Sequence, residues 1–326
     1  MQLPSLAELK ANLFFFSVPL KYEFAGVKNR QGILLKGPTG WGEFAPFDRY
    51  PTHLASKWFV SAYEMAYLAD GLKQRDEIKV NGIVPMLSTS QTIEYVQEIM
   101  KQGVTCFKVK CGSDDFADDF ARVMAVRETA PLATIRIDVN GAWDFQQAKD
   151  RIFELNAFAT LEYVEQPVSS LEDMIRLRNV VDVPLAVDEN IRTSKDVNVK
   201  DIQMAADIAI LKAIPAGGVR MGQVAAELLD MPIVVSGSMD TSVGLTPGLF
   251  LAANIEDLYG ACGFGTGNLL AEDLCATVVP EQGKIKVRAI EPDIEKLELA
   301  QSRVDANTRE FLLQRLTDCY EMMEAL

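Results

Sequence analysis

The chain has little histidine, few cysteines, a deficit of positive charge and no long apolar run, and each shortage narrows what it can do. Its one histidine, His53, lies outside the segment where charged residues gather, which argues against histidine base chemistry there and suits a surface or cap position. Five cysteines (Cys106, Cys111, Cys262, Cys275, Cys319) are odd in number and lack zinc-ribbon spacing, so reduced thiols in a cytoplasmic protein are expected. With 32 Lys and Arg against 46 Asp and Glu, the net charge is −14, which leaves no basic face for nucleic acid. The run Leu13-Phe14-Phe15-Phe16 is far shorter than a membrane span. It follows Glu8 and Lys10 and lacks a small-residue cleavage site, so it reads as a strand and not as a signal peptide.

What is present fits a globular enzyme. An apolar fraction of 48% and a charged fraction of 24% allow a sizeable core. The 326 residues suit one barrel of about 200–250 residues plus a smaller domain. The first 50 residues read as antiparallel strands and turns: strands at 12–18, 32–36 and 41–44, with Gly37-Pro38-Thr39-Gly40 as a turn. Thr52 is expected to cap a helix over 53–70, and residues 22–28, around Gly26, suit a mobile lid.

From residue 78 strands and helices alternate. The expected strands are 80–86, 105–110, 134–140, 161–166, 185–188, 208–211, 233–236 and 258–263. Helical patterns fill the gaps at 116–129, 145–156, 171–180 and 220–229. Eight parallel strands with right-handed crossovers close most simply into a (β/α)-barrel. After Ala271 the pattern breaks into a hairpin around Gln282-Gly283 and further helices. The expected organisation is a capping segment at 1–77, a barrel at 78–276, and residues 277–326 returning to the cap.

Within this frame, single charged residues end successive strands. Asp138 ends Ile135-Arg136-Ile137, Glu165 ends Tyr163-Val164, and Asp188 ends Ala186-Val187, at intervals of 27 and 23 residues. Lys110 lies 28 residues before the first and Lys212 lies 24 after the last. Such intervals match one strand, one helix and two short loops, so all five residues are expected at the C-terminal mouth, where such barrels keep active sites. Arg136, Asp138 and Asn140 share one strand face, as do Lys108 and Lys110. Three buried carboxylates would repel one another, and a hard divalent cation such as Mg²⁺ resolves that with oxygen ligands alone. The alternative is structural salt bridging to Lys108, Lys110, Arg136 and Lys212.

Two ammonium groups on one face, near a metal, are expected to lower the pKa of one lysine. That lysine then suits the role of base towards a carbon acid beside a carboxylate. Lys212 can donate a proton or hold the developing charge from the far side. The run Gly263-Phe264-Gly265-Thr266-Gly267 follows the last strand and so is a poor dinucleotide motif; a loop at Gly265 approaching an anionic substrate group fits better. Ser236-Gly237-Ser238 is expected to offer backbone N–H groups at a helix start. Plain loop geometry is the alternative for both.

Taken as a set, these residues resemble the enolase superfamily, in its muconate-lactonizing branch. That branch carries Lys-x-Lys on barrel strand two (Lys108-Val109-Lys110) and metal carboxylates on strands three to five (Asp138, Glu165, Asp188). It also carries a lysine on strand six (Lys212) and a Trp-Gly-Glu cap segment (Trp41-Gly42-Glu43). The resemblance implies an α/β fold, a modified (β/α)7β TIM-type barrel with an α+β capping domain built from N-terminal and C-terminal residues. Looser loop similarity points to the subfamily that dehydrates 2-succinyl-6-hydroxy-2,4-cyclohexadiene-1-carboxylate to o-succinylbenzoate in menaquinone biosynthesis. It implies Mg²⁺ (Mn²⁺ as substitute), Lys110 as the base for a syn elimination and Lys212 against the opposite face. Lys108 and Arg136 would support the ligands. An N-succinylamino acid racemase, or another acyl amino acid or dipeptide epimerase, uses the same lysines. The Gly265-Thr266-Gly267-Asn268 region lacks the Asp-x-Asp of dipeptide epimerases. A Schiff-base aldolase leaves the carboxylates unexplained, and a non-catalytic barrel leaves the lysines unexplained as well. The partner expected is a small carboxylate, with neither nucleic acid nor membrane.

Overall fold

The computed structural model describes residues 3–24, 26–68, 73–193 and 198–325. After a short helix (Leu6–Lys10) come three antiparallel strands, β1 (Leu13–Phe24), β2 (Val27–Lys36) and β3 (Trp41–Phe44). Side chains alternate between the two faces of this sheet, and both faces are covered. Phe15, Ile33, Leu35 and Phe44 pack with the helices Thr52–Tyr63 and Ala306–Glu324, whereas Phe16, Val18 and Leu34 join the main core. A Cβ on Gly42 would lie 1.9 Å from the Ala62 carbonyl oxygen, so glycine there lets β3 lie directly on a helix. The C-terminal helix closes this unit, with Leu312, Leu316 and Cys319 buried and Tyr320 edge-on to Phe59 at 6.0 Å. Residues 22–28 form the tip of the β1–β2 hairpin; Ala25 lies outside the described residues.

Two expectations at the start of the first long helix change. Pro51 is the N-cap and Thr52 the first helical residue, with no side-chain cap bond, because the extended backbone of Pro51 already turns the chain into the helix. The α-helix stops at Tyr63 and a π-helical turn, Glu64–Leu68, follows. The Glu64 carboxylate reaches across to accept N–H groups of Val219 and Arg220, the latter at 3.1 Å. The helix Val219–Leu229 is thus capped by a side chain 155 residues away, with negative charge at its positive end.

After β4 (Glu77–Lys79), seven parallel strands run in consecutive order: β5 (Gly82–Val84), β6 (Cys106–Lys110), β7 (Thr134–Asp138), β8 (Leu161–Glu165), β9 (Leu185–Val187), β10 (Ile208–Leu211) and β11 (Ile233–Val235). Buried on both faces, they read in the sequence as short apolar runs. Helices fill the crossovers, many started by a polar cap, as where Asp144 accepts the N–H of Gln147 at 2.8 Å. The expected eighth strand, 258–263, does not form a regular ladder. It stitches the two sheet edges together instead. Tyr259 and Gly263 donate to Ile233 and Val235 at 2.7 and 2.8 Å, while Cys262 bonds Asn81 and Lys79 at 2.9 and 2.8 Å. The hairpin turn falls at Gln282 and Gly283, both at positive φ, but β12 (Lys284–Lys286) pairs with the exposed edge of β4. All five cysteines are buried and unpaired.

Candidate active site

The parallel register carries the charged residues to one rim. Lys110 is paired with Asp138 across β6 and β7, and Asp138 with Glu165 across β7 and β8. Asp188 and Lys212 directly follow β9 and β10. Three strands separate β6 from β10, so Lys110 and Lys212 reach the mouth from different sides of the ring. Both line a cavity of about 450 Å³, with Lys108, Asp138, Asn140, Ser236, Gly237 and Ser238. Glu165 is fully buried beneath it, and Asp188 borders an adjacent cavity of about 190 Å³.

The carboxylates are held by cations. Lys108 Nζ lies 2.9 Å from both oxygens of Glu165 and 3.1 Å from Asp138 Oδ2. Lys110 Nζ donates to the same Asp138 oxygen at 2.6 Å and to Asn140 Oδ1 at 2.7 Å. Lys212 Nζ donates to Asp188 Oδ2 at 2.6 Å, and Arg192 bonds the other Asp188 oxygen at 3.0 Å and Glu189 at 2.6 Å. Among the described residues no three His, Cys, Asp or Glu side chains are gathered as a ready-made ligand group, because the ammonium groups draw the oxygens towards themselves. Two of the carboxylates nevertheless converge on one cation, Lys108.

The electrostatics follow from burial and pairing. Burial pushes the Asp138 carboxyl up, but Lys108 and Lys110 outweigh it and hold it far below the usual range. Burial, then the neighbouring Asp138, push Glu165 up to about 7. Asp188 is lowered because Arg192 and Lys212 overcome its burial. The expected lowering of one lysine does not occur at Lys108. Burial acts against its charge, but Asp138 and Glu165 prevail and raise its pKa.

Three further expectations need correction. Arg136 does not touch the rim carboxylates. It sits one layer deeper in the barrel, bonded to Glu162 and, at 2.6 Å, to the Ala261 carbonyl, over the Tyr163 ring. The N–H groups of Gly237 and Ser238 are spent internally, on Gly263 O at 3.0 Å and Asp240 Oδ2 at 2.7 Å, and no helix starts before Thr246. At Gly265 the close approach is to backbone: a Cβ would lie 2.5 Å from Asn81 O, so this glycine lets the barrel close, while Thr266 faces the cavity.

Several residues shape the site without charge spacing or strand position marking their role in the sequence. Gln166, at φ 41° and fully buried, accepts the Asp188 N–H at 3.1 Å and donates to Asn190 at 2.5 Å, tying the β8 and β9 rims together. Phe24, Phe47, Arg49, Tyr50 and Trp58 of the N-terminal segment roof the cavity, and Lys110 Nζ stands 5.3 Å from the Phe24 ring centroid. Arg192 had one readable signal, its position a helical turn after Asp188.

With this geometry in hand, comparison with known proteins gives the class. Residues 91–296 match the enolase C-terminal domain-like family and residues 15–66 the enolase N-terminal domain-like family. The chain belongs to the enolase superfamily, whose members depend on a divalent metal ion. It is 36% identical to an o-succinylbenzoate synthase of Mycobacterium leprae over 323 residues, covering 98% of this chain and 95% of that one. Identity to the o-succinylbenzoate synthase of Mycolicibacterium smegmatis is 37%, covering 98% of each chain. The structure of a muconate lactonizing enzyme from Pseudomonas fluorescens superposes with a TM-score of 0.74 at 20% identity, covering 89% of this chain and 97% of that one. Among the described residues no helix is long and apolar enough to cross a membrane.

Proposed function

We propose that this chain is a metal-dependent hydro-lyase that dehydrates 2-succinyl-6-hydroxy-2,4-cyclohexadiene-1-carboxylate to o-succinylbenzoate. The observation that carries this reading is a pair of lysines, Lys110 and Lys212, on one cavity beside buried carboxylates, in a chain matching o-succinylbenzoate synthases over 98% of its length.

Asp138, Glu165 and Asp188 suit a hard divalent ion, Mg²⁺ with Mn²⁺ as substitute: all donors are oxygen, all are buried, and two already share one cation. That ion supplies positive charge beside the substrate carboxylate when bound. Charge balance supports the substrate class. Asp138, Glu165, Asp188 and Glu189 are offset by Lys108, Lys110, Lys212 and Arg192. A dication would leave the site net positive, which suits an anionic carboxylate substrate.

Lys110, as the free amine, takes the proton from the carbon bearing the carboxylate. It then returns that proton to the departing hydroxyl on the same face, so water leaves as the C–O bond breaks and the ring becomes aromatic. Asn140 and Asp138 orient Lys110. Lys212, anchored by Asp188, presents positive charge to the anion and forms no covalent bond. Aromatisation drives the elimination.

A second reading is N-succinylamino acid racemisation, favoured by the placement of Lys110 and Lys212 on different sides of the ring. A dipeptide epimerase fits less well. Asp273, the first aspartate after the glycine run, is buried and committed to Ser242 and the N–H of Leu274, at 2.5 and 2.7 Å. The test is a direct assay with the cyclohexadiene acid beside N-succinyl amino acids, with and without EDTA. Dehydration that survives complete removal of divalent ions would refute the metal role, and racemisation alone would refute the synthase reading.

A further inference from the structure

Two charged side chains of the N-terminal sheet, outside the catalytic rim, are buried against the loop that follows β11. Arg30 on β2 is 3% exposed and donates from Nε to the Met239 carbonyl at 2.8 Å, with a second bond to Ala45 O. Glu43 on β3 is 4% exposed and accepts the Thr241 N–H at 3.3 and 3.4 Å and the Thr241 hydroxyl. Burying a carboxylate costs more than apolar packing of the same volume, so stability alone does not favour it here. Gly244 makes the room. Its φ is not positive, so backbone conformation does not call for glycine, yet a Cβ there would lie 2.5–2.8 Å from three atoms of the Glu43 carboxyl group. The tethered loop carries Ser236, Gly237, Ser238 and Met239 along the cavity wall. Behind it Asp240 fixes the Ser238 N–H, while the buried Ser238 hydroxyl has no partner among the described residues.

We propose that Arg30 and Glu43 are positioning residues, a clamp from the N-terminal sheet that sets the 236–241 loop against the substrate, with Gly244 reserving the seat of the Glu43 carboxyl. The inference rests on the reaction proposed above. Neither residue touches substrate; each acts through the loop it holds.

The test compares Glu43→Ala, Glu43→Gln and Gly244→Ala in the full chain with Mg²⁺. It reads kcat and KM for the cyclohexadiene acid, and amide hydrogen exchange at Ser238 and Thr241. Glu43→Ala and Gly244→Ala should each lower kcat/KM by up to about 10²-fold, chiefly through KM, as a displaced contact surface does. Both should speed exchange at Thr241. Glu43→Gln still accepts from Thr241 and should stay within about threefold of the parent, the scale of one neutral hydrogen bond. If Glu43→Ala does not fold, the Gly244→Ala and Glu43→Gln pair decides. Unchanged kinetics and exchange in Gly244→Ala, or a loss in Glu43→Gln as deep as in Glu43→Ala, would overturn the clamp. A parent inactive on the cyclohexadiene acid refutes the proposed reaction, and the exchange contrast then decides the clamp separately.

Discussion

The Nζ of Lys108 lies 2.9 Å from both carboxylate oxygens of Glu165, a buried bidentate pair just below the barrel mouth. Lys108 thereby stands where the proposed metal ligands converge, since it also touches Asp138. In the metal-free protein it competes with a cation for the same oxygens. Removing one partner of a buried pair costs about 3–5 kcal/mol, so Lys108→Ala should lower the urea midpoint in EDTA by a corresponding amount. Added Mg²⁺ should then restore more stability to Lys108→Ala than it adds to the parent. Equal Mg²⁺-induced shifts in the two proteins would show that Lys108 does not occupy the cation's place.

The buried acid on β3 gives a pH prediction away from the rim. Burial, then Asp240, push Glu43 up to about 7 against an ordinary 4.5, with Arg30 and the Thr241 bonds opposing. Asp240 is itself pushed up to about 6 by burial. A raised carboxyl means the folded state binds more protons than the unfolded one, so its contribution to stability falls as pH rises from about 4.5 to 7. The span is on the order of 3 kcal/mol. Glu43→Gln should flatten this part of the stability–pH curve, measured by urea unfolding at pH 5, 6, 7 and 8. A curve parallel to that of the parent would mean that Glu43 does not titrate there.

Base identity is the next test. Among the described residues Lys110 reaches the cavity with hydrogen bonds only to Asp138 and Asn140, whereas Lys108 is enclosed by two carboxylates. Lys110→Ala should reduce kcat by about 10³-fold while leaving Mg²⁺ binding measurable by calorimetry, as loss of a principal acid–base group does. A tenfold effect or less would transfer the role to another group.

The even spacing of strand-end charges was legible because parallel strands buried on both faces appear as short apolar runs, and β10 begins and ends where the apolar run does. The helix Phe116–Thr129 was equally plain; the structure adds Asp115 as its cap. Residues 258–263 take the expected eighth place, with parallel bridges to both sheet edges, but their pairing is too broken for a regular ladder, and nothing local in the sequence marks that. The close approach at Gly265 depends on Asn81, far away in sequence, and so left no local trace. Lys108 shows the limit most clearly. Two lysines on one face suggest that one has a lowered pKa, but Asp138 and Glu165, brought in from neighbouring strands, raise that of Lys108. Of the aromatic roof, Phe24 lies in the 22–28 segment read as a lid, whereas Phe47, Tyr50 and Trp58 have ordinary core composition and nothing in the sequence sets them over the mouth.

Lys212 separates elimination from the competing chemistries. In the proposed reaction it only presents positive charge, held by Asp188 at 2.6 Å, and makes no covalent bond to substrate. Borohydride added with the cyclohexadiene acid should therefore trap no adduct at Lys212, whereas a Schiff-base enzyme would be labelled and inactivated. Arginine keeps the charge but is a very poor base, so Lys212→Arg should retain measurable dehydration. A racemase needs a proton acceptor on each face and would lose nearly all racemisation in the same variant. The decisive measurement is α-deuterium incorporation from D₂O into both enantiomers of an N-succinyl amino acid, run beside the dehydration assay. Rapid exchange from both enantiomers by the parent, abolished in Lys212→Arg and unaccompanied by dehydration, would replace the synthase reading with the racemase. Dehydration that persists in Lys212→Arg without a trapped adduct is the outcome the geometry predicts.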